Sequence, residues 1–218
     1  MRRLVKIVVV ALLAVIVAAL SYGGKGYLDA VADADRLQNR AGALIADGRG
    51  GSDLGKDRLD DLLKVQDPAF RDHAGVDMST PGAGLTTVTQ SLAKRLGFET
   101  FRPGIGKIRQ TGYALGLEAR LSKDEIMALW LDTLEMGRGP NGWMTGFFDA
   151  SETVYGAAPA AIGHTEFLKL VAVMIAPGKY DLRGTDAELE ERTARIARLA
   201  EDKCAPLDHG DVWLEGCR

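Results

Sequence analysis

The chain has 218 residues, of which 46% are hydrophobic and 26% are charged. This composition is ordinary for a folded chain and excludes both a disordered tail and a protein with many membrane spans. The 27 basic and 30 acidic side chains give a formal net charge of -3. Because no basic stripe dominates any part of the chain, we do not expect nucleic acid as a partner.

The N-terminal segment, residues 1–24, carries the pattern of a membrane anchor or a secretory signal. Arg2, Arg3 and Lys6 precede a stretch from Ile7 to Gly24 that has no charged side chain. As a helix this stretch spans roughly 27 Å, close to the ~30 Å of a bilayer core. A cleaved signal and an uncleaved anchor both remain open. In either case the basic end stays in the cytoplasm and the rest of the chain is exported.

Two cysteines lie near the C-terminus, Cys204 and Cys217. In an oxidising compartment such a pair closes a small loop, so we favour a structural disulfide over a redox or metal role. The sequence alone does not show whether the two are paired. There is no CxxC pattern or cluster of Cys and His, so no metal site is predicted.

Apolar residues at helical spacing predict a mainly α-helical protein in which strand signals are nearly absent. A helix is predicted over Tyr27–Ala46, and the last helix is predicted to begin with a capping box of Thr185 and Glu188. One further helix is predicted to end at Gln66, and two more span Thr86 or Thr87 to Gly97 and Ile105 to Ala119. Another is predicted to start at Ser122, and one that starts at Thr165 is halted by Pro177. The predicted organisation is an anchor (1–24), a helical stalk or linker (25–53), a main domain (54–182) and a C-terminal helix with a cysteine-closed tail (183–218).

Five segments, in order, resemble the motifs of glycosyltransferase family 51, the peptidoglycan glycosyltransferases. QDPAFRDHAGVD (66–77) is similar to E-D-x-x-F-x-x-H-x-G-x-D, and GLTTVTQSLAK (84–94) to G-G-S-T-I-T-Q-Q-L-x-K. The segment 106–132 resembles R-K-x-x-E followed by A-x-x-L-E and S-K-x-E-I-L-x-x-Y-L-N. MGRGPNGW (136–143) resembles a G-R-G-x-x-G loop, and the segment 147–181 contains A-P-x-x-Y. The glycine loop 137–142 lacks the strand and the G-K-[ST] of a nucleotide site.

The resemblance implies a lysozyme-like, two-lobed, mainly helical glycosyltransferase domain behind an N-terminal transmembrane helix. It implies lipid II as substrate, a disaccharide-pentapeptide carried on undecaprenyl diphosphate, and nascent glycan strands or other cell-wall synthesis proteins as partners. A lipid-embedded substrate favours the anchor over the cleaved signal. We therefore expect a single-pass protein of the inner membrane with its domain in the periplasm.

The positions of the two catalytic glutamates of this family hold glutamine in this chain. Gln66 stands where the resemblance implies the general base, and Gln110 stands where it implies the glutamate at the diphosphate side. An amide cannot hold a transferred proton near neutral pH, so a base contribution of ~10² to 10⁴ is lost. Gly106 and Ser91 depart from the family pattern as well.

The resemblance implies a further set of substrate-binding positions, for which a framework role is the alternative: Asp67, Phe70, His73, Thr87, Gln90, Lys94 and Lys107. We expect a non-catalytic binder of lipid II, glycan or a synthase, without a cofactor. The alternative is an active enzyme that uses another carboxylate, Asp67 or Asp77, with Mg²⁺ or Mn²⁺ at the diphosphate. A lysozyme-like hydrolase is disfavoured because it too needs carboxylates at the cleft.

Overall fold

The computed structural model describes residues 2–218 and is mainly helical, as predicted. In chain order the helices and strands are α1 (Arg2–Ala46), α2 (Lys56–Gln66), α3 (Val88–Gly97), α4 (Gly106–Arg120), α5 (Lys123–Asp132), β1 (Glu135–Gly139), β2 (Gly142–Thr145), α6 (Phe147–Tyr155), α7 (His164–Val173) and α8 (Ala187–Ala200). Single 3-10 turns span Gly51–Leu54 and Glu215–Cys217.

Helix α1 runs without a break from the apolar N-terminal segment into the domain. Its first part is exposed along its whole circumference and is long and apolar enough to cross a membrane. Its second part, predicted as a stalk or linker, packs against α4 and α5 and buries Ala30, Ala34, Leu37 and Ala41 completely. The apolar helix fits a single-pass membrane anchor, and this anchor is continuous with the domain.

The remaining helices form two groups that meet at a cleft. Helices α3, α4 and α5 pack on α1, and helices α2, α7 and α8 pack on one another. One hydrophobic core runs through both groups, with Trp130 of α5, Tyr113 of α4 and Phe167 of α7 among its largest buried side chains. The end of α2 and the loop before α3 lie where the two groups face each other.

Several local predictions are confirmed and others are wrong. Thr87 caps α3 and Ser122 caps α5, both with a reciprocal capping box. The cap of α8 is Asp186 instead of Thr185, because its carboxylate accepts the backbone N–H groups of Glu188 and Leu189. Helix α7 begins one residue earlier than predicted, after Gly163.

The glycine loop near residue 140 is the turn of a β-hairpin that strand signals did not predict. Strands β1 and β2 pair in antiparallel register, with Arg138 opposite Trp143 and Gly139 opposite Gly142. Glycines carry little β propensity, which explains the missed strands. The hairpin packs on α6, next to α5.

The C-terminal tail, defined here as residues 204–218, is closed by a disulfide between Cys204 and Cys217. It docks on the loop before α3 through two backbone hydrogen bonds, from Gly82 N to the oxygen of Asp208 and from Gly84 N to the oxygen of His209. Gly84 has a φ of +65°, and a β-carbon there would lie 2.6 Å from Val212 Cγ1. Glycine is therefore required at this contact for both conformation and space.

Candidate functional site

The cleft contains a cavity of about 410 Å³, called here the Gln66 cavity. It lies between the two helix groups and is bordered by side chains of α2, α3, α5 and α8, the loop before α3, the segment after α7 and the tail. Its lining comprises Val65, Gln66, residues 82–88, Ser91, Trp130, Met174, Ile175, Arg192 and Val212. No carboxylate belongs to this lining.

Gln66 is the last residue of α2 and is partly exposed to the cavity. Asp67, which follows it, is fully buried and faces the start of α3. Its carboxylate accepts the N–H of Val88 at 2.9 Å and bonds His73 Nε2 at 2.9 Å. Burial raises the pKa of Asp67, and the bonds from His73 and Val88 oppose this shift. Asp67 therefore ties α2 to α3 and does not border the cavity.

His73 has a framework position as well. Its Nδ1 accepts the backbone N–H of Gly75 at 3.0 Å, so Nε2 carries the proton that it donates to Asp67. Lys123 donates to the carbonyl oxygen of His73 at 2.7 Å and to Glu118 at 2.8 Å, and its ammonium lies 4.5 Å from the centre of the Phe70 ring. Phe70 is 3% exposed. This cluster holds the segment after α2 against α4 and α5.

Thr87 and Gln90 form the capping box at the start of α3, and both are buried. Thr87 also borders the Gln66 cavity, and its hydroxyl donates to the oxygen of Gly75 at 2.7 Å. Gln110 lies behind them on α4. It is 1% exposed and its Nε2 donates to the backbone oxygen of Gln90 at 2.7 Å, while its Oε1 is buried without a partner. The two glutamines of the catalytic positions therefore have different environments, one in the cavity and one in the core.

The two lysines are not part of the cavity lining, but Lys107 contacts its edge. Lys107 donates to Thr86 Oγ1 at 2.7 Å, and its pKa is lowered by burial and by the charge of nearby Lys94. The Lys94 ammonium lies 5.4 Å from the centre of the Phe101 ring. Both lysines lack a carboxylate partner in residues 2–218. This pair of close, uncompensated cations is suited to a diphosphate.

The residues near Lys94 and Lys107 do not fit a divalent metal. A metal at the diphosphate side needs oxygen ligands, preferably carboxylates. The matching position here is the amide of Gln110, whose oxygen is enclosed in the core, and the exposed groups nearby are the ammonium groups of Lys94 and Lys107. We therefore derive no step through a metal.

Asp77 lies in the loop after α2 and holds a turn. Its Oδ1 accepts the N–H groups of Ser79 at 2.9 Å and Thr80 at 3.2 Å. Burial by itself raises the pKa of this carboxyl, but the hydrogen bonds from Thr80 and Ser79 outweigh it and lower the pKa to about 2. An acid this strong is a poor base at neutral pH.

Replacing Asp77 by alanine is expected to lower the free energy of unfolding at pH 7 by about 1–2 kcal/mol. The folded-state pKa of about 2 lies below the unfolded value, so the contribution is complete above about pH 4 and is lost as the pH falls towards 2. Urea unfolding of the full chain in detergent, at several pH values, measures this difference. Asp72→Ala is the control, because the exposed Asp72 side chain bonds to nothing in residues 2–218. A loss for Asp77→Ala that is unchanged at low pH contradicts the assignment.

Sequence reasoning missed two residues of the cavity, Arg192 and Trp130. Arg192 is 4% exposed although it stands among the many charged residues of α8. The signal was present, because Arg192 shares the spacing of Leu189, Ile196 and Leu199, the buried stripe of α8. Arg192 and Trp130 both carry buried N–H groups without a partner.

The sequence of this chain is similar to that of known proteins. The family model described as transglycosylase matches residues 51–201. Penicillin-binding protein 1A of Haemophilus influenzae is 24% identical over 243 residues, covering 98% of this chain and 27% of that protein. The biosynthetic peptidoglycan transglycosylase of Xanthomonas campestris is 26% identical over 157 residues, covering 66% of this chain and 62% of that protein. A protein of the same name from Marinomonas is 28% identical, covering 67% of this chain and 70% of that protein.

Most of these relatives extend beyond the aligned part. The chain spans about a quarter of the length of the penicillin-binding protein and about three fifths of the Xanthomonas transglycosylase. The matched residues 51–201 contain the Gln66 cavity except for its wall in the C-terminal tail.

Proposed function

Because the chain belongs to the transglycosylase family, glycosyltransferase family 51, we propose that it is a membrane-anchored cell-wall protein that binds lipid II or nascent glycan without polymerising it. The observation that carries this proposal is the cavity itself. Gln66, which stands where the resemblance implies the family's base, borders the cavity, and no residue of the lining is a carboxylate. Glycosyl transfer requires a group that takes the proton from the attacking hydroxyl, and an amide does not take it.

The two candidate substitutes for the base are both engaged elsewhere. Asp67 is fully buried and bonds His73 and Val88. Asp77 bonds the backbone of its own turn and has a pKa of about 2. Neither carboxylate borders the cavity. These positions support the non-catalytic proposal over the alternative of an enzyme with a displaced base.

The proposal that the chain still binds lipid II is supported by two lysines and by the N-terminal helix. Lys94 and Lys107 are close together without a carboxylate partner, which suits the diphosphate of a lipid-linked sugar. The N-terminal helix would hold the domain at the bilayer where such a lipid resides. The basic residues before this helix support a domain on the periplasmic side of the inner membrane, as does a disulfide-closed tail. A cell-wall synthase is a candidate partner at the same membrane.

The proposal is tested with the full chain in nanodiscs and with lipid II. We expect no glycan strands above the level of protein-free nanodiscs, together with saturable binding of lipid II. The double variant Lys94→Gln/Lys107→Gln is expected to bind lipid II at least about tenfold more weakly, because two charge-assisted contacts are lost. Both quantities are measurable with the same labelled lipid.

The matched control for the lysines is Lys56→Gln, since Lys56 is exposed on α2, away from both the cavity and the lysine pair. Glycan strands formed by the wild-type chain and abolished in Asp67→Asn or Asp77→Asn would establish the enzyme alternative. If lipid II neither binds nor polymerises, both forms of the proposal fail, and a protein partner alone remains.

A further inference from the structure

Arg192 is a buried cation without a counter-ion. It is 4% exposed, and its Nε and Nη1 have no hydrogen-bond partner in residues 2–218. Burial lowers the pKa of the guanidinium to about 10, so it stays charged at neutral pH. An unpaired charge away from water is costly, and proteins rarely keep one that has no use.

The neighbouring carboxylates are already occupied. Glu191 and Glu215 both pair with Arg195, at 3.1 Å and 2.7 Å. Asp211 accepts the backbone N–H groups of Leu207, Glu215 and Gly216 within the tail. The face of the Trp213 ring, whose centre lies 5.5 Å from the guanidinium carbon, offers a weak cation–π contact and no hydrogen-bond acceptor for Nε or Nη1. The charge of Asp211 favours the charged guanidinium from a distance, but none of these groups hydrogen-bonds it, so Nε and Nη1 are free to bind a ligand.

Arg192 is also the single charged residue in the lining of the Gln66 cavity. Trp130, 2% exposed, borders the same cavity from α5 and has an indole N–H without an acceptor. Met174, Ile175 and Val212 supply apolar walls. The cavity thus has one positive charge, from Arg192, and one hydrogen-bond donor without an acceptor, the indole N–H of Trp130, while the rest of its lining is uncharged.

The C-terminal tail contributes to the surroundings of Arg192. Val212 borders the cavity and Trp213 covers the guanidinium from the other side. The tail lies after residue 201, where the match to the family model ends. The tail keeps Arg192 out of water, and contacts of a buried charge are stronger than those of an exposed one.

We propose that Arg192 is an anion-binding residue of the Gln66 cavity and that it receives a carboxylate group carried by a saccharide ligand. The guanidinium is a planar fork that matches the two oxygens of a carboxylate. A single cation balances a single negative charge, whereas a diphosphate would leave excess charge in the cavity. The two lysines beside the cavity suit the diphosphate better. This inference rests on the proposed function and narrows its ligand. The lactyl carboxyl of lipid II is amide-linked to the peptide, so a free saccharide carboxylate belongs to a glycan strand without peptides.

A pair of soluble sugars tests it without any lipid-linked substrate. N-acetylmuramic acid and N-acetylglucosamine differ by the lactyl carboxylate. Binding to the full chain in detergent micelles is measured by calorimetry at pH 7 and ~0.15 M salt. We expect the acid to bind at least about tenfold more tightly than the neutral sugar, the effect of one charge-assisted hydrogen bond. Arg192→Gln is expected to remove this preference, and Arg192→Lys to retain part of it.

Arg120→Gln is the matched control, because Arg120 is exposed at the end of α4, outside the cavity lining, and its side chain makes no bond in residues 2–218. This variant is expected to keep the preference. A folded wild-type chain that does not distinguish the two sugars overturns the inference, and so does a preference that survives in Arg192→Gln. Inorganic pyrophosphate is the third probe. If its binding depends on Arg192 instead of on Lys94 and Lys107, the assignment to a carboxylate is wrong.

These outcomes are separate from those of the proposed function. Polymerisation of lipid II by the wild-type chain would refute the non-catalytic proposal and leave the sugar-acid preference intact. An absent preference beside normal lipid II binding would refute the role of Arg192 alone.

Discussion

Gln66→Glu is expected to raise the rate of lipid II polymerisation by about 10²-fold over the wild-type chain, the lower end of what a positioned general base contributes. Gln66 borders the cavity, is partly exposed and makes no side-chain hydrogen bond in residues 2–218. A carboxylate at this position keeps contact with water and displaces no existing bond. We therefore expect a change in stability below about 1 kcal/mol.

Gln110→Glu is expected to behave in the opposite way. Its amide is 1% exposed and donates to the oxygen of Gln90, a bond that an ionised carboxylate cannot make. The carboxylate would face that oxygen in the core, which costs about 2–4 kcal/mol of folding free energy. Burial raises the pKa of such a group, so the loss is smallest at acid pH and grows as the pH rises above about 4.

The two substitutions therefore separate catalysis from stability. Single and double variants are compared by polymerisation assay and by urea unfolding in detergent. Gln66→Met is the control, since it fills similar volume without a base, and it should leave the rate at the wild-type level. A folded Gln66→Glu protein that binds lipid II but shows no increase in rate would mean that the loss of activity extends to other departures such as Gly106 and Ser91.

The contrast between these two glutamines shows what the sequence could and could not predict. Motif spacing predicts both positions, because the spacing within a motif can be read from residue order alone. The environments of Gln66 and Gln110 depend on how the helices pack, including α3 on α4, and this packing cannot be read from the sequence. The same limit applies to Arg192. The spacing of the buried residues of α8 predicts that Arg192 is buried. Its lack of an ion pair depends on the pairing of the nearby carboxylates with Arg195 and with backbone N–H groups of the tail.

Helix boundaries were predictable where a side chain caps the helix locally. Ser122 was predicted as a helix start, and Thr87 was one of two candidates beside Thr86; both cap their helices. Asp186 was missed because Thr185 offered an equivalent pattern one residue earlier, and only the backbone conformation decides between them. The continuity of α1 was obscured by glycines near residue 24, which usually weaken a helix. Gly23 and Gly26 have a different use, since both lie against α4, where a β-carbon would contact Ile108 and Arg109.

Gly112→Ala is expected to separate α1 from α4 and to lower the free energy of unfolding by about 3 kcal/mol or more. A β-carbon at Gly112 would lie 1.9 Å from the backbone oxygen of Gly23. Backbone atoms cannot rotate away, so the helices themselves must move apart. Asp29 would lose its 2.8 Å ion pair with Arg109, and Asp33 its 2.7 Å bond from Tyr113. Urea unfolding in detergent measures the loss, and trypsin cleavage in α1 reports the separation.

Gly24→Ala provides the matched control on the partner helix. A β-carbon at Gly24 meets nothing within 4 Å, and alanine is the better helix former by about 1 kcal/mol. This variant should be as stable as the wild-type chain or more stable. Equal stability of Gly112→Ala and Gly24→Ala would show that α1 does not pack on α4 in the membrane-bound protein. If the expected difference is found, the helix that carries Lys107 and Gln110 is held directly by α1, so the lysine that we propose as a diphosphate ligand keeps a defined distance from the apolar segment.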